Sequence, residues 1–240
     1  MASTRLPGKV LSPVVGRPML CRVVERARRA RRLDEVVVAT SDQPPDDAVA
    51  RLCQSWGVPC VRGSERDVLD RYVQAAAERD ADVVVRITAD CPLLDPEVVD
   101  EVVSAFDEGV DYVSNIDPPT FPDGLDVEVA SVAALRRAHR EATLPSEREH
   151  VTLHIRNHPE RYRTRNVAAA VDRSHLRWTV DEPQDLRFAR AVYARLGDRN
   201  FVTRDVLRLL DEHPELASVN AHIERNEGLR RSLGAEEVTA

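Results

Sequence analysis

EVVVAT at residues 35–40 and VVVRI at residues 83–87 are short β-branched runs set between helical patterns. Runs of this kind are apolar on both faces, as a central strand of a doubly covered parallel sheet requires. Working outward, the spacing predicts helices over 18–32, 46–55 and 67–79, with a weaker strand at 60–61. This alternation of helices and short strands runs from about Pro18 to Gly197 and specifies an α/β fold. Asp95 before Pro96 and Gly109 after Glu108 are the start and stop signals of another helix. It leads into DYVSN at 111–115 and then PPTFPDG at 118–124, a rigid loop at the mouth of the sheet. Beyond it lie a strand-like DVEVA at 126–130, a helix over 132–142, and a second helix from Ser146, where Ser146 and Glu149 form a capping box. Asp181 opens a further helix with Pro183 in its first turn. The reading is one domain over 1–233, with 200–233 a C-terminal helical extension of two short helices and 234–240 a frayed tail.

The 240 residues are 42% hydrophobic, enough to fill a substantial core, which excludes disorder as the main state. No stretch approaches the roughly 20 apolar residues of a membrane span, and the N-terminus lacks an apolar signal core. The expectation is a cytoplasmic protein with no membrane partner. A net charge of −7 argues against a nucleic-acid partner and leaves small anions as candidates. Cys21, Cys53, Cys60 and Cys91 have no C-x-x-C spacing and read as buried free thiols. Of the 34 Lys and Arg residues only Lys9 is lysine. Such a bias replaces ammonium by guanidinium wherever a surface cation will do, so a lone lysine is either chance or a position that needs a compact point charge.

STRLPGK at 3–9 places two hydroxyls, Arg5, a glycine and that lysine ahead of a helix. Amides and hydroxyls that donate, a glycine that admits close backbone approach and two cations make a phosphate cradle. On composition alone a flexible basic N-terminus explains the segment slightly better. The Walker spacing is absent, which disfavours an ordinary ATPase. Asp90, in TADCPLLDP, falls just beyond a strand, at the carboxyl edge where α/β sheets bind ligands, and reads either as a Mg²⁺ ligand or as a loop acid. Asp181 has the same pair of readings, with helix capping as the alternative.

Several motifs occur in order: STRLPGK followed by VLSPVVGRPML, VVVATSD at 36–42, RGSERDVLDRY at 62–72, VVRITADCPLLDP at 84–96, and YVSN from Tyr112. FPDGLDVEV at 121–129, LPSEREHVT at 144–152, SHLRWTVDEPQDL at 174–186 and the tail NAHIERNEG complete the series. Together they resemble the cytidylyltransferases that make CMP-activated sugars, including CMP-sialate and CMP-Kdo synthetases, and most closely the spore coat polysaccharide SpsF-like branch. The resemblance implies a single-domain, mostly parallel Rossmann-like sheet of the nucleotide-diphospho-sugar transferase type. It implies transfer of CMP from CTP to a sugar acid or related small anionic acceptor with pyrophosphate release, in a homodimer. Two other readings remain: a same-fold glycosyltransferase or nucleotidyltransferase using another NTP, and a non-catalytic nucleotide-binding remnant.

By the same resemblance Arg5 and Lys9 are catalytic and neutralise the departing pyrophosphate, while Asp90 and Asp181 hold Mg²⁺. Ser3, Thr4, Gly8, Thr40, Ser41, Asp42, Ser64, Asp67, Arg71 and Thr88 are assigned to the nucleotide. Asp123, Asp126, Glu128, Glu147, Arg148 and His150 are assigned to the acceptor, the last three also to the subunit interface. Asp126 and Glu128 would share one face of a strand, and a solvated face is the competing reading. Family members usually begin with an apolar strand of about eight to ten residues ending in Q-A-R or P-A-R, one mean strand plus its turn. This sequence lacks it, so the expectation is a start roughly ten residues upstream, and without that strand two neighbouring edges are exposed.

Two patterns invite other functions. His150, His154 and His158 recur at intervals of four, but no H-E-x-x-H is present and Pro159 ends the run, so a solvated helix face is expected. RVVERARRARR at 22–32 suggests nucleic acid, but its apolar stripe fits an exposed amphipathic helix over the sheet.

Overall fold

The computed structural model describes residues 5–197 and 200–237, so Ser3 and Thr4 lie outside the described residues. The first strands form a small hairpin, β1 (Pro13–Val14) and β2 (Arg17–Pro18), followed by α1 (Met19–Ala27), β3 (Val38–Ser41), α2 (Asp47–Ser55) and β4 (Cys60–Gly63). Next come α3 (Val68–Glu78), β5 (Val83–Arg86), α4 (Pro96–Ser104), β6 (Tyr112–Ser114), β7 (Glu128–Ser131) and α5 (Val132–Glu141). The remainder is α6 (Pro145–Glu149), α7 (Leu153–Asn157), β8 (Thr164–Asn166), α8 (Pro183–Leu196), α9 (Thr203–Glu212), α10 (Pro214–Ala217) and α11 (Glu227–Glu237). No helix among the described residues is long and apolar enough to cross a membrane.

β3 and β4 pair in parallel, from Val38 opposite Cys60 to Ser41 opposite Gly63. A four-stranded sheet runs in the order β5, β7, β6, β8. In it β7 is antiparallel to both neighbours, and β6 and β8 are parallel. β5, β6 and β8 therefore run in one direction, as a mostly parallel sheet requires, and β7 alone opposes them, because the chain returns from the proline-rich loop in the opposite direction and inserts β7 between β5 and β6. Among the described residues β3 and β5 are each paired on one side only. Three apolar clusters fill the molecule. The largest joins Val98, Val99 and Val102 of α4 to Val113, Val129, Trp178 and Phe188. A second packs Leu69 of α3 on Leu135 and Ile155, and a third packs Leu20 and Val24 of α1 on Val49 and Cys53 of α2.

Several local expectations change. The helix predicted over 18–32 stops at Ala27 and is not exposed: Arg22 and Arg26 are buried in it. Their donors find carbonyls, Val14 and Val15 for Arg22, Leu94 and Phe201 for Arg26. Each guanidinium also lies over a ring, Arg22 over Tyr193 and Arg26 over Phe201, so hydrogen bonding and cation–π contact offset the burial. Ser146 makes no capping box, because its amide and hydroxyl both donate to Glu236 of α11, at 2.6 and 2.8 Å. The three histidines do not share a helix face. The helix breaks at Val151, whose φ is +55°, and the next turn turns His154 inward to 3% exposure. Cys60 is only half-buried, whereas the other three thiols are buried.

Gly124 closes the proline-rich loop with φ +106°, and a Cβ there would lie 2.5 Å from the Thr179 amide nitrogen. Both the backbone conformation and the close approach demand glycine. Gly124→Ala is expected to destabilise the protein by about 1–3 kcal/mol or more, measured by urea unfolding. Gly16→Ala, where φ is +79° but no atom lies within 4 Å of the added carbon, serves as the milder comparison.

Candidate active site

Gly8 adopts a left-handed conformation, φ +69°, and caps a single 3-10 turn over Lys9–Leu11. Backbone bonds from Leu11 to Gly8 and from Ser12 to Lys9 hold that turn. Asp90 follows β5, and its carbonyl accepts the Val180 amide at 2.8 Å. This one long-range backbone bond lays the segment before Asp181 beside Asp90. Lys9 Nζ then lies 2.7 Å from Asp90 Oδ2 and 2.6 Å from Asp181 Oδ1. Burial opposes the charge on both Asp90 and Lys9, and their mutual attraction outweighs it. With a further hydrogen bond from Thr88, Asp90 is held below the usual carboxylate range, while Asp90 and Asp181 push the Lys9 ammonium above its own.

Arg5 reaches Asp181 as well, at the same oxygen that Lys9 contacts. It is 3.2 Å from Asp181, 3.6 Å from Glu182 and 2.7 Å from Glu227 of α11. Behind Asp181 stands the buried Arg177, which donates to Asp181 at 3.0 Å, to Asp123 at 2.9 Å and with two nitrogens to Asp185. Asp185 also accepts the amides of Asp181 and Glu182 at 2.9 Å each, fixing the entry to α8, so the helix is capped from Glu182 while the Asp181 side chain turns to the site. Arg177 and Asp185 escaped the sequence reading. Their signal was the interval of four that separates Arg177, Asp181 and Asp185 within SHLRWTVDEPQDL.

The acceptor set divides. Asp123 joins the centre through Arg177; burial pushes its carboxyl up, against the pull of Arg225 and Arg177. Asp126 pairs with Arg225, another residue the sequence reading missed, whose second nitrogen donates to the Phe121 carbonyl at 3.0 Å. Burial pushes Asp126 up to about 7 despite that guanidinium. Glu128 is neither solvated nor open. It is 3% exposed and accepts from Arg86, Tyr112 and Thr152, and although burial opposes its charge the nearby arginines hold it below its usual range. Its pairing with Asp126 on one strand face is also lost, since β7 begins only at Glu128. Glu147 is buried against His154. Arg148 lies 3.4 Å from Asp67 and donates to the His139 carbonyl, and His150 is 3.0 Å from Ser232 of α11.

The nucleotide set is largely engaged within the protein. Thr40 and Ser41 turn their hydroxyl protons inward to the buried Asp46, at 2.8 and 2.7 Å. The Asp42 amide donates to Gly63. Ser64 accepts the Asp67 amide through its hydroxyl and Arg71 through its carbonyl, and Asp67 caps α3 by accepting the Asp70 amide at 2.9 Å. Thr88 contacts Cys91 at 3.2 Å. The Asp67 to Arg148 contact is the place where the nucleotide and acceptor sets meet.

The raised Asp126 sets a pH dependence with a definite sign. A carboxyl whose folded pKa lies near 7, above an unfolded value of about 3.9, binds more protons when folded, so its stabilising contribution fades as pH rises through 7. Asp126→Asn mimics the protonated form. It is expected to gain stability relative to wild type between pH 5 and pH 8 in urea unfolding, and a pH-independent difference would contradict the assignment.

The sequence profile of the cytidylyltransferase family matches residues 1–199. The spore coat polysaccharide biosynthesis protein SpsF of Bacillus subtilis is 36% identical over 91% of this chain and 93% of its own. The 3-deoxy-manno-octulosonate cytidylyltransferase of Geobacter metallireducens is 37% identical over 43% of this chain and 40% of its own. Among solved structures, a cytidylyltransferase from Leptospira borgpetersenii superposes with a TM-score of 0.87 at 29% identity, covering 90% of this chain and 92% of that one. A CMP:2-keto-3-deoxy-manno-octonic acid synthetase complexed with CTP superposes at 0.60 and 22% identity over 81% and 95%, a likeness of fold. With the ordered motifs, the nucleotide-diphospho-sugar transferase type of fold and the Lys9 centre, this match over most of the chain places the protein in the cytidylyltransferase family, as a nucleotidyltransferase.

Proposed function

We propose that the chain transfers CMP from CTP to a sugar acid or related small anionic acceptor, releasing pyrophosphate, in the synthesis of a polysaccharide or glycoconjugate. The names of the relatives support this reading, and one observation carries it: a single ammonium, Lys9, bridges two carboxylates that come from distant parts of the chain. A pair of oxygen donors already arranged around one cation suits Mg²⁺, a hard ion that binds through one or two carboxylates plus substrate phosphates. Asp90 and Asp181 would hold it. Bound there, the ion would supply charge neutralisation at the reacting phosphate.

The chain's own residues do the rest. Lys9, on a flexible stem, moves from the carboxylates to the β- and γ-phosphates, and Arg5 adds a second cation on the same side. An acceptor hydroxyl loses its proton to solvent as its oxygen attacks the α-phosphorus, the new O–P bond forms, and the bond to the pyrophosphate oxygen breaks with its electron pair. Arg177 keeps Asp181 and Asp123 in place throughout, so positioning and charge stabilisation account for the rate. A cytoplasmic location and a homodimer belong to the same proposal.

The test is pyrophosphate release with each of the four NTPs against a panel of sugar acids. CTP with at least one acid is expected to turn over in Mg²⁺, and turnover with UTP or GTP alone would overturn the reading. Asp90→Asn is expected to abolish release with the fold retained by circular dichroism. Lys9→Arg keeps the charge but replaces a mobile point charge by a planar fork, and is expected to lower kcat roughly 10- to 100-fold, the scale of a small misplacement of a positioning group. A wild-type rate for that variant would make the lone lysine an accident of composition.

A further inference from the structure

His154 on α7 is 3% exposed, and neither of its ring nitrogens has a hydrogen-bond partner among the described residues. Its Nδ1 nevertheless faces the buried Glu147, 3.1 Å from Oε2 but off the hydrogen-bond line. Nε2 points toward Glu141, 3.6 Å away, a carboxylate already held by Arg137 at 3.2 Å and Arg161 at 2.8 Å. His158 stacks on His154 with ring centroids 4.2 Å apart. Its Nδ1 lies 2.8 Å from the His154 carbonyl. A carbonyl only accepts, so Nδ1 carries the proton and Nε2 of a neutral His158 is left with a lone pair, the arrangement that orients a metal-ligating histidine. One ligand atom each from Glu147, His154 and His158 lies within 4.8 Å of the other two.

We propose that Glu147, His154 and His158 form a structural site for a divalent transition-metal ion of the zinc class, which pins α6 to α7. Two imidazoles and a carboxylate favour such an ion over magnesium or calcium. Tetrahedral zinc, with bonds of about 2.0–2.1 Å, needs donors roughly 3.3 Å apart. The Glu147 to His154 spacing already meets that requirement, and side-chain rotation of the half-buried His158 at the helix end closes the rest. A cation between Glu147 and His154 satisfies both buried groups at once. Its consequence is local and concrete. α6 carries Arg148, which meets Asp67 at the head of α3, and leads into His150, which meets Ser232, so fixing α6 fixes the corner where α3 and α11 converge. None of the three donors is shared with Asp90 or Asp181, and the site stands or falls independently of the transferase reading.

The experiment uses the full chain, stripped with a chelator and titrated with Zn²⁺ alone in millimolar Mg²⁺, which occupies sites made only of carboxylates. Wild type is expected to take up one equivalent and to rise in Tm. Co²⁺ in its place should give the visible bands of a tetrahedral nitrogen and oxygen site, without the near-ultraviolet band of thiolate ligation. His158→Gln alters a half-buried ring at a helix end and should keep the fold by circular dichroism while weakening Zn²⁺ binding at least about 10-fold. Glu147→Gln should act in the same direction, and if it fails to fold, His158→Gln carries the test. No uptake by wild type, equal affinity in His158→Gln, or a thiolate band pointing to cysteine ligands would each overturn the proposal.

Discussion

Two carboxylates that face one another in a half-buried cleft repel unless a cation stands between them, and here that cation is the chain's single lysine. Unit charges 4 Å apart interact by about 4 kcal/mol at the effective dielectric of a protein surface, and here that attraction outweighs the burial that opposes it. What the fold contributes is convergence. A left-handed glycine delivers Lys9, the end of β5 delivers Asp90, and the bond from the Val180 amide to the Asp90 carbonyl delivers Asp181.

Arg177 extends the same balance inward. Its guanidinium touches three carboxylates, Asp123, Asp181 and Asp185, and Asn220 adds a bond to its carbonyl and another to Asp185. A planar fork with several donors serves a buried cluster of fixed carboxylates, whereas an ammonium suits a place where the partner changes. The two cations thus divide the work by chemistry. Removing Arg177 would leave buried charges uncompensated, the costly way to break such a cluster. It also ties the loop that ends at Gly124 to the start of α8, so Asp123 and Asp181 share one support.

The strands could be read because β-branched runs favour extended backbone, and β3, β5 and β7 lie near the runs that announced them, although β5 is only partly buried and its Val83 is exposed. β8, with the sequence TRN and largely exposed, offers no apolar signal, and only its pairing with β6 makes it a strand. The arginines of α1 illustrate a different limit. A charged helix face reads as solvent-exposed, and burial becomes tolerable only because distant carbonyls and rings of Tyr193 and Phe201 receive the guanidinium groups. Likewise the break at Val151 is a backbone conformation that valine disfavours, imposed by surroundings rather than written locally. In the site, Lys9, Asp90 and Asp181 were each legible, from a lone lysine, an acid beyond a strand and an acid at the start of a helix. Their meeting was not, since it rests on contacts across most of the chain.

The residues after 200 change what counts as the site. Arg225 holds Asp126, Glu227 holds Arg5, Glu236 holds Ser146, and Ser232 meets His150. One segment therefore reaches the cation that faces Asp181 at one end and the α6 corner at the other. Such contacts, made by a half-exposed helix through polar groups and few buried apolar ones, open at lower free energy than the core does. The tail is thus placed to hold Arg5 and Asp126 through charges that an anionic ligand would compete for. Through Arg5, which contacts both Asp181 and Glu227, the extension belongs to the same charge cluster as the Lys9 centre rather than being an appendage to it.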